Sequence, residues 1–94
     1  MAKAKPAPGS LDWQLDWSLW EWRRLPRVEA EIDQWDQLDQ IIFIEEWPLE
    51  KDRLRRLERC AAEGAFTAEQ RRRYEQLQRV VAKNRPIIKR LQES

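Results

Sequence analysis

From Leu11 to Leu25 the apolar positions recur on two overlapping rhythms. Projected at about 100° per residue, Leu11, Leu15, Leu19, Trp22 and Leu25 form one stripe of a helix. Trp13, Trp17 and Trp20 form a second stripe nearly opposite, and Asp12, Asp16 and Arg23 separate the two along one edge. The spacing predicts a helix over 11–25, with Ser10 as N-cap, an acid in its first turn, and a stop where Pro26 restricts Leu25. The strict alternation of Leu11, Trp13, Leu15, Trp17 and Leu19 also matches a half-buried strand. Against the strand stand Asp12, Gln14, Asp16 and Ser18, which are poor strand formers, and the lack of a nearby hairpin turn.

Pro26 suits the first turn of a second helix, and Glu29, Glu31 and Asp33 complement its positive dipole end. That helix is predicted to run to about Glu46, with Val28, Ile32, Trp35, Ile42 and Phe43 on one face, Leu38 at its margin and Asp39 inside the apolar stripe. The run Ile41–Ile44 is apolar all round, which fits a helix end enclosed on several sides better than a short strand paired with residues 13–19. Trp47-Pro48 reads as a break, with Pro48, Leu49 and Glu50 opening a third helix whose stripe is Leu54, Leu57 and Ala61. Gly64 supplies a left-handed stop, and Thr67-Ala68-Glu69-Gln70 is a capping box for a fourth helix. Its stripe is Tyr74, Leu77, Val81, Asn84, Ile88 and Leu91, carried through Pro86 in phase, with a kink or fresh start expected near Asn84.

These elements predict an all-α fold: a small bundle of about four helices at 11–25, 26–46, 48–63 and 67–92, the last two a C-terminal antiparallel αα-hairpin. Residues 1–10 read as a flexible tail, having Lys3, Lys5, Pro6 and Pro8 but no apolar core that would make a signal peptide or a membrane span. Residues 11–94 then form a single domain, divided into a Trp-rich acidic half to Trp47 and a basic hairpin from Pro48.

Composition sharpens that division. All six tryptophans lie between Trp13 and Trp47. Residues 1–47 hold five Lys or Arg against ten Asp or Glu, and residues 48–94 hold thirteen against seven, so helices of opposite charge are expected to pack side by side. At 94 residues with 37% charged content, a single core leaves a small stability margin that a partner would widen. One cysteine, Cys60, and no histidine give neither an internal disulfide nor a soft metal site, which fits a reducing cytoplasm and a packed, inert thiol.

Chemistry is sparse. Without histidine, acid–base catalysis would fall to a carboxylate, and Asp39 is the one out of pattern; a structural ion pair is the simpler reading of it. Two glycines cannot form a phosphate loop, so no cofactor is expected and the chain reads as non-enzymatic. Trp22 and Trp35 fall in core stripes, whereas Trp13, Trp17 and Trp20 form a face for a partner, which is another protein or a second copy of the chain. The reading is a small regulatory or adaptor module. The alternative is a nucleic-acid-binding accessory protein that uses the arginine rows of the hairpin, with Arg53, Arg56, Arg71, Arg72 and Arg73 as contacts to phosphate or to an acidic partner. Glu58, Glu63, Glu69 and Glu75 interrupt those rows, and Asp12, Asp16 and Glu21 argue against a membrane surface.

Overall fold

A computed structural model describes residues 10–93, and the predicted tail at 1–10 lies outside them except for Ser10. The helices are α1 (Leu11–Arg23), the two-turn α2 (Leu25–Glu31), α3 (Gln37–Ala62) and α4 (Ala68–Glu93). A 3-10 turn at Ile32–Gln34 joins α2 to α3. The all-α class holds, and no strand occurs among the described residues, so the alternation at 11–19 is not a strand. The four-helix partition does not hold. Three long helices make the bundle, because the predicted second helix stops at Glu31 while the predicted third begins eleven residues early, at Gln37, and runs through Pro48.

Local caps follow the sequence closely. Ser10 Oγ accepts from the Trp13 amide at 3.1 Å. Thr67 and Gln70 make the reciprocal pair of a capping box, at 2.9 and 3.1 Å. Gly64 has φ 69°, a left-handed value that an L side chain adopts only with strain. Asp36 starts α3 by accepting from the Leu38 amide, which the sequence reading did not foresee.

Helix directions follow from cross-helix contacts. Trp22 meets Trp47 while Trp13 lies under Arg53, so α1 runs antiparallel to α3. Asp12 meets Arg73 while Trp22 meets Asn84, so α1 runs parallel to α4. Thus α3 and α4 are antiparallel across the 63–67 turn, yet they are not the self-contained hairpin expected: α4 packs chiefly on α1, and α3 closes the third side. The core takes Leu15, Leu19 and Trp22 from α1, Phe43, Trp47 and Leu57 from α3, and the full predicted stripe of α4. Trp35 is half-buried and turns its ring edge-on to Phe43, 5.9 Å away.

Three prolines show why one interrupts a helix and two do not. A proline deletes the donor for the carbonyl four residues earlier. Pro48 and Pro86 are exposed, and the residues whose carbonyls they orphan, Ile44 and Ala82, are half-buried and exposed, so water is within reach and the helices continue. No fresh start occurs at Asn84. Pro26 instead orphans the carbonyl of Trp22, which is 2% exposed. Asn84 supplies the missing donor from α4, its amide Nδ2 lying 2.8 Å from that carbonyl oxygen. Asn84→Leu therefore leaves a buried carbonyl unpaired and is expected to lower stability by about 1–3 kcal/mol, read as a reduced urea midpoint with unchanged slope.

Candidate functional site

Along the outer side of α1, Trp13 and Trp17 stack with centroids 5.4 Å apart and planes 11° from parallel. Trp17 and Trp20 follow at 5.4 Å and 38°. The ladder forms because residues three and four apart in a helix are neighbours on its surface. Trp13 is half-buried, whereas Trp17 and Trp20 are 39% and 52% exposed. Two guanidinium groups flank the rings: Arg24 lies 4.6 Å from the Trp20 centroid, and Arg53 lies 5.5 and 5.9 Å from Trp13 and Trp17. A guanidinium over an aromatic face is attracted by the ring quadrupole, so these contacts help hold the rings in place. The three tryptophans singled out by the sequence are thus brought together on one face.

Beside this ladder a cleft of about 160 Å³ opens between α1 and α3, lined by Trp17, Glu21, Arg24, Phe43, Glu46, Trp47, Leu49, Glu50 and Arg53. At its inner side Glu50 is only 4% exposed. It pairs with Arg53 one turn along α3. Burial pushes the Glu50 carboxyl above its ordinary value, and the Glu21 carboxylate pushes the same way. The Ser18 hydroxyl and the Arg53 charge oppose that shift without cancelling it. Ser18 acts at longer range than a hydrogen bond, since its Oγ, like Glu50 Oε1, Arg53 Nε and Trp47 Nε1, is buried with no hydrogen-bond partner among the described residues.

The buried acid is therefore Glu50 and not Asp39. Asp39 stands exposed in the first turn of α3, because that helix begins at Gln37 and turns residue 39 away from the core. Trp47 likewise marks no break: it is 2% exposed and packs on Trp22 and Phe43. The Ile41–Ile44 run is not enclosed either, since Ile41 and Ile42 are 44% and 42% exposed. Reading Phe43, Trp47, Glu50, Leu54, Leu57 and Ala61 as one four-three series through Pro48 is the signal that places Glu50 and Trp47 inward.

The arginines divide. Arg73 reaches Asp12 at 2.6 Å and Asp16 at 3.1 Å, and Arg90 grips Glu29 through two contacts of 2.7 and 2.8 Å. Hydrogen bonds from Gln70 and Arg73 hold the Asp12 carboxyl below its ordinary value, and Arg90 does the same to Glu29. These contacts join the acidic and basic halves as the charge division predicts. Arg53 is occupied by Glu50, while Arg56, Arg71 and Arg72 point outward. Cys60 is free and half-buried. Among the described residues no His, Cys, Asp or Glu cluster is arranged to hold a metal ion, and no helix is long and apolar enough to cross a membrane.

Comparison with protein-family models, curated proteins and solved structures finds no match to this chain. Its properties rest on the geometry above.

The environment of Glu50 has a measurable sign. Its folded-state pKa lies above the unfolded value, so the folded protein holds this proton more tightly, and the contribution present at low pH is lost as pH rises through the folded pKa. Glu50→Gln removes that dependence. Its stability relative to the unchanged protein is expected to rise from about pH 4 to about pH 7 in paired urea titrations, and a flat difference would show that burial does not dominate at this carboxyl.

Proposed function

We propose that the protein is a non-enzymatic interaction module that docks on another protein through Trp13, Trp17 and Trp20. The observation that carries this reading is the exposed indole ladder flanked by Arg24 and Arg53. Tryptophan and arginine dominate the energetics of protein interfaces, because each gives a large contact area at modest entropic cost. The ladder is rigid before contact, its rings set by stacking on their neighbours and its helix anchored by Leu15, Leu19 and Trp22 in the core. Binding then orders little that is not already ordered.

The arginine rows support nucleic-acid binding less well. Two of their five named members, Arg53 and Arg73, are engaged by carboxylates of the same chain, and phosphate would have to displace those acids. A regulatory or adaptor role in a reducing cytoplasm fits the free thiol and the absence of a reactive constellation from the sequence.

Trp17→Ala combined with Trp20→Ala removes exposed rings and leaves the core stripe intact. The double variant is expected to keep its helical circular dichroism. Proteins that the unchanged chain retains from native lysate are expected to be absent from the variant's eluate. Unfolding of the variant, or identical eluates, would refute docking through this face, and light scattering of the purified chain reports whether a second copy is the occupant.

A further inference from the structure

The first half of α3 carries a second unpartnered face, on the side away from the core. Leu38, Ile41 and Ile42 follow one another at helical spacing, Leu49 stands two turns beyond Ile42 on the same side with the exposed Glu45 between them, and the four are between 42% and 63% exposed. Their setting is acidic. From Val28 to Glu50 the chain holds eight Asp or Glu and no Lys or Arg. Asp39, Glu45 and Glu46 are exposed, and none of the three has an ion pair among the described residues. Leu49 belongs to this stripe and also lines the cleft beside Trp17, so stripe and cleft form one surface.

We propose that this surface receives a basic amphipathic helical segment of a partner protein, its apolar residues on Leu38, Ile41, Ile42 and Leu49 and one Lys or Arg side chain in the cleft. The inference rests on the interaction reading above and names the chemistry of the partner. An incoming amphipathic helix carries its apolar anchors at three-four spacing, so one apolar face of it can run along Leu38, Ile42 and Leu49. The cleft, at about 160 Å³, is smaller than the roughly 300–1,000 Å³ of a small-molecule site and matches one long side chain. Its walls, Trp17, Phe43 and Trp47, suit an alkyl stem or a cation. Arg24 and Arg53 are each paired already, with Glu21 and Glu50, which leaves Glu46 at the cleft and Glu50 Oε1, buried and unpartnered, to accept from an incoming cation. An acidic peptide or a nucleic acid would meet uncompensated carboxylates. A second copy laid antiparallel on the same stripe, Leu38 against Leu49, would set Glu45 and Glu46 against Ile42 and Ile41 with no cation to meet them, which disfavours that occupant.

The test titrates the full chain with a Leu/Lys peptide of about fourteen residues with Leu at three-four spacing, a Leu/Glu peptide of the same pattern, and a scrambled Leu/Lys peptide. Indole N–H resonances report contact. The patterned Leu/Lys peptide is expected to bind saturably and to move the Trp17 and Trp47 signals, while the other two leave them in place. Glu45→Lys with Glu46→Lys, both at exposed positions, is expected to weaken that binding by about tenfold. Ile42→Ser with Leu49→Ser, also exposed, should give a comparable loss from the apolar side. Equal binding of the Leu/Glu or scrambled peptide, or unchanged affinity in both double variants, overturns the proposal. If Trp17→Ala with Trp20→Ala loses its partner while the Leu/Lys peptide leaves the spectrum unmoved, docking through the tryptophans stands and this inference falls.

Discussion

Trp22 joins all three long helices at one place. Its ring meets Trp47 of α3 edge to face, with centroids 5.1 Å apart, and its backbone carbonyl accepts from Asn84 of α4. Burying an indole removes about 150–250 Å² from water, which at about 25 cal/mol per Å² is an upper estimate of about 4–6 kcal/mol, a large part of what a chain of this size retains. The polar joint is as necessary as the apolar one. Pro26 deprives the same residue of its helical donor, and α4 delivers the Asn84 amide to that carbonyl in its place. Through that bond the break between α1 and α2 becomes part of the packing of α4.

Fixing Trp22 inward fixes the opposite side of α1 outward. A helix that buries Leu15, Leu19 and Trp22 has no second layer for Trp17 and Trp20, and the molecule is thin, with a shortest extent of 18 Å. The indoles instead stack on one another and against two guanidinium groups from Arg24 and Arg53. Stacking hides their mutual faces and leaves Trp17 and Trp20 partly exposed. Antiparallel packing of α3 on α1 then sets Trp47, Phe43 and Glu50 beside the ladder and creates the cleft.

Charge acts in two ways across the fold. At the rim, Arg73 and Arg90 reach from the basic half to Asp12, Asp16 and Glu29, partly exposed contacts that are individually modest and tie α4 to α1 and α2. Inside, the Glu50–Arg53 pair is largely desolvated, and two of its polar atoms, Glu50 Oε1 and Arg53 Nε, lack partners among the described residues. Such a pair is weak evidence for stability and stronger evidence for a place where a further polar group fits.

Side-chain periodicity and cap chemistry are local, so the sequence alone determined the all-α class, the Ser10 and Thr67 caps, the Gly64 stop and every core position of α4 from Tyr74 to Leu91. It also separated Trp13, Trp17 and Trp20 from Trp22, because a 3.6-residue period suffices for that. The effect of each proline was not legible, since a proline costs little where the carbonyl it orphans can reach water and much where that carbonyl is buried, and burial is a tertiary property. Reading Pro48 as a break therefore hid the inward phase of Trp47 and Glu50, while carrying one helical phase from Val28 across the turn at Ile32–Gln34 put Asp39 in a core it never enters and enclosed Ile41 and Ile42 that face outward. Only the packing of α1 against both α3 and α4 decided which carboxylate is buried, which arginines are occupied and where the cleft lies, because those depend on residues dozens of positions apart meeting across three helices.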